Sequence, residues 1–153
     1  MNDFILLNCD LGKKAYIRAS DICLFESIDC VYDNDLKSRV VYNHSDGYIN
    51  TLQCSETVAE IIKYIKLFYT YSYGAEVNNF IVKNFIFLHN KKDRQICIRI
   101  EDIYSIKEEH HESFTFISSH NVEYHSILLV RGVEELICCK ETVDEIMALI
   151  KNR

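Results

Sequence analysis

Proline is absent from this 153-residue chain, and glycine occurs only four times. Turns must therefore be made mostly by Asn, Asp, Ser and Lys, which can bond or bend their own backbone. A phosphate-cradling loop is poorly supplied, and no P-loop, G-x-G-x-x-G, H-E-x-x-H or G-x-S-x-G pattern appears. Basic residues are in deficit, 17 against 23 acids, for a formal net charge of −6. Both halves share the deficit: residues 1–78 carry 11 acids and 7 bases, residues 79–153 carry 12 and 10. No stripe dense in Lys and Arg is present, so phosphate binding has no obvious electrostatic footprint. No apolar run reaches the length that spans a bilayer. A signal peptide is not expected, because Asp3 follows at once and FILL is too short for its apolar core.

What is there is hydrophobic and repetitive. Apolar residues make up 48% of the chain, ample for a buried core. Seven cysteines, at 9, 23, 30, 54, 97, 138 and 139, form an odd set without C-x-x-C spacing. They read as small core hydrophobes in a reducing compartment, and a cytoplasmic location is expected.

Sliding the sequence by 81 places aligns FILLNCDLGKKAYIRASDI (4–22) with FIFLHNKKDRQICIRIEDI (85–103). A slide of 85 aligns GYINTLQCSETVAEIIKYI (47–65) with GVEELICCKETVDEIMALI (132–150). Two ordered matches with one small insertion argue duplication. Each copy then has strands at 4–9 and 14–19 (85–90 and 95–100), and a third beginning near Ile22 or Ile103. Further strands are expected at 38–44 and 48–54, and in SFTFISS (113–119), HNVEYHS, ILLV and VEELICC (133–139). Thr57 with Glu60, and Thr142 with Glu145, have capping-box spacing. The stripes Val58, Ile61, Ile62, Ile65 and Val143, Ile146, Leu149, Ile150 suit helices that each cover a small sheet. On this reading Glu56, Thr57, Glu60 and their partners are structural. So are Asp21-Ile22 and Asp102-Ile103, with Asp turning the chain and Ile buried.

The expected fold class is α+β: two tandem small antiparallel β-sheet or partial-barrel modules, each closed by a C-terminal helix. Residues 1–70 form the first module, 71–79 a linker and 80–153 the second. Gly74 ends the first helix. Each copy has only about 70 residues, so a shared interface would enlarge the buried core. Tyr69, Tyr71 and Tyr73 flank the boundary and are candidates for packing between modules or for a partner surface.

The order of strand, turn, strand, acidic-Ile, hairpin, Gly, strand and E-T-V-x-E-I helix resembles the small bacterial flagellar FlbD-like proteins. The matching residues are Ile17, Asp21, Ile22, Gly47, Glu56, Thr57, Val58, Glu60 and Ile61. In the second copy they are Ile98, Asp102, Ile103, Gly132, Glu141, Thr142, Val143, Glu145 and Ile146. This chain departs from that pattern in being doubled, cysteine-rich and lengthened between strands. The resemblance implies a small regulatory or assembly-associated module and supplies no catalytic residues. ICIRIEDIYSIKEEHHESFTFISSHN also looks like the start of a LytTR-type DNA-binding domain. Where that family continues with a basic reading segment, this chain has SILLVRGVEELICC with Arg131 its only base, so DNA binding is not carried across.

Histidines stand at 44, 89, 110, 111, 120 and 125. His110, His111, His120 and His125, with Cys138 or Cys139, are the metal ligands to weigh, but their spacing matches no established ligand pattern. A tight turn at His120-Asn121 would set His125 across from Phe116 and His111 nearer Val130, which does not gather the imidazoles. Cys138 and Cys139 are strand neighbours facing opposite sides and cannot easily chelate one ion. No metal, cofactor or catalytic residue is assigned, and no enzymatic activity is expected.

Three functions remain. A noncatalytic interaction, assembly or regulatory module fits best, with another protein or self-association as partner. A nucleic-acid-binding regulator would use the first hairpin of each copy: Lys13, Lys14, Arg18, Lys91, Lys92, Arg94 and Arg99. A small-molecule or metal-dependent enzyme would need a convergent polar cleft. No membrane insertion is expected.

Overall fold

The computed structural model describes residues 4–30, 32–44, 46–73, 84–112 and 123–152. It is an α+β fold of several small antiparallel sheets and, among the described residues, two α-helices. β1 (Phe4–Asn8) and β2 (Lys14–Arg18) form a hairpin; β3 (Ile22–Ser27), β4 (Ser38–Asn43) and β5 (Ile49–Cys54) form a meander. Helix α1 spans Val58–Tyr73. A second hairpin follows, β6 (Phe85–His89) with β7 (Gln95–Arg99), then β8 (Ile103–Glu112), β9 (Glu123–Val130) and β10 (Ile137–Cys139). Helix α2 spans Val143–Lys151.

The principal sheet crosses the middle of the chain. Its strand order is β5-β4-β3-β7-β6, so the first meander and the second hairpin are one sheet. Leu24 pairs with Ile98, Phe25 with Cys97 and Glu26 with Ile96. The sequence suggests modules with separate sheets. The strands that meet explain the difference. ICLF of β3 and ICIR of β7 are buried continuously, as suits interior strands covered on both faces, whereas β1 alternates buried and exposed.

Successive side chains of the central sheet enter opposite cores. Phe25, Val40, Phe85 and Cys97 meet Ile5, Leu7 and Ile17 of the first hairpin and Val58, Ile61 and Ile65 of α1. Leu24, Val41, Ile86, Leu88, Ile96 and Ile98 meet Leu128, Val130, Ile137 and Cys139 of the β8–β10 sheet and Ile146 of α2. The first hairpin and the β8–β10 sheet therefore lie on opposite sides of the central sheet. Single-residue bridges attach each flanking layer, Cys9 to Cys54 and Asn90 to Cys139.

Several local expectations are met. Thr57 Oγ1 accepts from Glu60 N at 3.2 Å, while Glu60 Oε2 accepts from Thr57 N at 2.8 Å. Thr142 and Glu145 repeat both bonds at the same lengths, so each helix starts with two of its free N–H groups satisfied. Asp21 and Asp102 each end a short 3-10 turn that feeds the next strand. Both such strands are irregular at their start, with pairing shifts between Ile22 and Leu24 and between Ile103 and Ser105.

Other details differ. Only Ile137–Cys139 of VEELICC is strand, because the chain turns through Gly132 beforehand. Leu149 is exposed, so the apolar stripe of α2 is narrower than its spacing suggests. α1 continues through Tyr73, into the segment 71–79. The expected strand at 113–119 and the helix stop at Gly74 lie outside the described residues.

Gly47 and Gly132 both hold positive φ, +81° and +78°, but only Gly132 is crowded. A Cβ there would stand 2.3 Å from Cγ2 of Ile49, a β-branched side chain with little rotamer freedom. Gly47→Ala is expected to cost about 1 kcal/mol from backbone strain alone. Gly132→Ala adds a clash and should cost roughly 2–4 kcal/mol, as overpacking does. Urea unfolding of the two variants checks the order.

Candidate interaction surfaces and the buried junction

Arg99 is the polar anchor of the junction. Its guanidinium, nearly inaccessible, donates from Nε to Ile22 O at 2.8 Å and from Nη2 to Ala19 O at 3.1 Å. It also lies 4.8 Å over the Phe85 ring, a cation–π contact away from water. Asp102 Oδ2 is 3.8 Å from Nε, and Arg131 stands 4.0 Å from the other carboxylate oxygen. Burial raises the Asp102 carboxyl above its usual range, against the pull of a Cys23 hydrogen bond and of both arginines. Burial, then Asp102, pushes the Cys23 thiol up to about 12. Burial likewise lifts Cys54 and Cys139 to about 12, so these three are thiols rather than nucleophilic thiolates at neutral pH.

The Glu of each repeated ETV phrase binds backward to the preceding hairpin. Glu56, buried, accepts from Asn8 N at 3.1 Å and Asn8 Nδ2 at 2.6 Å. Glu141 accepts from His89 N at 3.0 Å, and its Oε1 lies 2.7 Å from His89 Nδ1. These bonds fasten the end of β1 or β6 to the approach of the following helix.

A cleft of about 280 Å³ opens beside the end of β3, lined by Glu26, Arg39, Arg94, Glu135 and their neighbours. Several of its charges are paired, while Lys91 and Lys92 also line it. Arg39 Nη2 is 2.7 Å from Glu26 and 2.6 Å from Glu135, and Arg94 pairs with Asp29. Burial raises the Glu26 carboxyl despite Arg39. For Glu135 burial acts in the same sense, but its own backbone N–H and Arg39 outweigh it and hold the carboxyl low. The cleft is a polar seam between the halves.

The candidate nucleic-acid residues separate into different settings. Lys13, Lys14 and Arg18 are exposed on the first hairpin, with Arg18 5.3 Å over the Phe4 ring. Lys91 and Lys92 are exposed at the tip of the second hairpin, and Arg94 is half-buried. Arg99 lies inside the junction. The backbones of Tyr69, Tyr71 and Tyr73 are in the last turns of α1; their side chains are outside the described residues. The β8–β9 pairing places His111 opposite Tyr124, which corrects the register expected from a turn at His120-Asn121. The described pairing breaks step between Glu108 and His111, an irregularity that strand periodicity does not disclose. No cluster of three or more metal-binding side chains occurs among the described residues.

Part of the apolar exposure that sequence reasoning missed lies on the two flanking layers. Phe4, Leu6 and Tyr16 are exposed on the first hairpin, and Tyr104 and Leu129 on β8–β9. Strand alternation around Ile5, Leu7 and Ile17 is the signal that could have found the first set. Comparison with protein-family models, curated proteins and solved structures found no match to this chain.

Arg99→Met keeps volume but leaves two carbonyls without their donor and removes a charge that faces Asp102. A loss of roughly 3–5 kcal/mol is expected, as for one partner of a buried ionic group. Arg99→Lys should recover only part of it, since ammonium cannot span both carbonyls in a planar fork. Chemical denaturation midpoints of both variants check this.

Proposed function

We propose that this chain is a noncatalytic interaction or assembly module built by duplication of one small β-rich unit. Five large apolar side chains exposed on two sheet layers, Phe4, Leu6, Tyr16, Tyr104 and Leu129, carry the reading. Apolar groups grouped on sheet faces and rimmed by charge suit a protein partner. The duplication is supported by paired detail: two matched capping boxes, two ETV glutamates bound to the preceding hairpin, and two turn glycines at positive φ. Ser38 faces Cys54 and Ser126 faces Cys139, all four buried, at corresponding positions. The FlbD-like resemblance points to the same class, a small regulatory or assembly-associated module.

The test is retention of protein by the purified chain against a Leu6→Asp/Tyr16→Asp variant, with mass measured in solution for both. The expected result is association, with itself or another protein, that the variant loses while its far-UV circular dichroism is unchanged. A wild-type monomer that retains no protein, but binds duplex or single-stranded nucleic acid through Lys13 and Lys14, would overturn the reading.

A further inference from the structure

We propose that the partner of the exposed hairpin is a second copy of this chain, joined head to tail. β2 of one copy adds antiparallel to β8 of the next and repeats the β3–β7 junction found inside each chain. The proposal rests on the interaction reading and on the duplication that accompanies it.

The internal junction is a template. The 81-residue offset makes β2 the counterpart of β7, and β8 the counterpart of β3. β3 and β7 pair with each other, whereas among the described residues β2 pairs only with β1 and β8 only with β9. β2 and β8 cannot meet within one chain, because their layers pack on opposite faces of the central sheet. At the ordinary spacing of about 10 Å per packed layer, that separates them by roughly 20 Å. Among the described residues, each copy of the chain therefore has one unpaired edge of each kind, on opposite sides.

Side-chain exposure follows the same correspondence. Phe85 is 0% exposed inside the junction, and its counterpart Phe4 is 43% exposed. Cys23 is 3% exposed and its counterpart Tyr104 is 65%. Cys97 is buried and Tyr16 exposed; Arg99 is buried and Arg18 exposed. Val41, beside Leu24 in the sheet, is buried, and Leu129, beside Ser105, is exposed. Arg18 lies over Phe4 as Arg99 lies over Phe85, so the aromatic–guanidinium pair is assembled and lacks only its cover.

Transferring the register of Leu24–Ile98 and Phe25–Cys97 sets Ser105 against Ile17 and Ile106 against Tyr16. Continued past the last internal pair, Glu26–Ile96, the same register runs Glu108 toward Lys14 and Glu109 toward Lys13, just before β2. The charges at this end are opposite in sign between copies, which the proposed pairing requires and a hairpin-to-hairpin pairing would oppose. Because the two edges differ, the contact is heterologous and produces a ring or an open chain of copies.

Sedimentation velocity of the full chain at low ionic strength, over a series of concentrations, tests this. The wild type should at least double its weight-average mass as concentration rises, and revert toward monomer with added salt. Lys13→Glu/Lys14→Glu and Glu108→Lys/Glu109→Lys should each remain monomeric alone. Mixing the two variants, or combining all four substitutions in one chain, should restore association, because either arrangement again opposes unlike charges. Restoration also shows that the separate variants were folded. A wild type that stays monomeric, or charge-reversed variants that associate as well as wild type, would overturn the proposal. If a different protein is retained by the hairpin while the chain stays monomeric, the copy-to-copy proposal falls and the interaction reading stands.

Discussion

The antiparallel junction between β3 and β7 is the constraint on which the rest of the structure depends. It joins a meander from the first half to a hairpin from the second and makes a five-stranded sheet from both. Because neighbouring strand residues face opposite ways, Phe25 and Leu24 supply different cores, as do Cys97 and Ile98. Neither half encloses its hydrophobic residues without strands from the other. A unit of about 70 residues is near the size at which one core stops sufficing, and sharing a sheet answers that limit.

Polar groups at the junction reinforce the apolar pairing. Arg99 satisfies two carbonyls from the first half, Ile22 and Ala19, at the point where the chain turns into β3. Leaving those acceptors dry would oppose burial of the surrounding Ile and Phe side chains. At the far end, Arg39 bridges Glu26 and Glu135, again across the two halves. The more exposed bridges contribute little on their own.

Much of the fold was legible in the sequence, and for identifiable reasons. The T-x-x-E spacing announced both helix starts, because a capping box is a local device whose partners are three residues apart. The ETV repetition announced equivalent positions for Cys54 and Cys139. The pairing of β3 with β7 was less visible. Continuous apolar runs in ICLF and ICIR say that both faces are covered without saying by which strand. Arg99 is a comparable case, since RI and RIED look like surface charge until the carbonyls of residues 19 and 22 are brought beside them. The roles of Glu56 and Glu141 were half legible: the repetition marked them as structural, while the donors they bind lay 48 and 52 positions away.

Amide hydrogen exchange under native conditions tests the central role of the β3–β7 junction most directly. The amides of β3 and β7 that bond across the junction should exchange only through global unfolding, with one protection level shared by both halves. Amides of the first hairpin should open at lower free energy. If the two halves instead show separate limits, with β3 and β7 exchanging through a partial opening that leaves either half intact, the account of a single sheet holding both cores is contradicted.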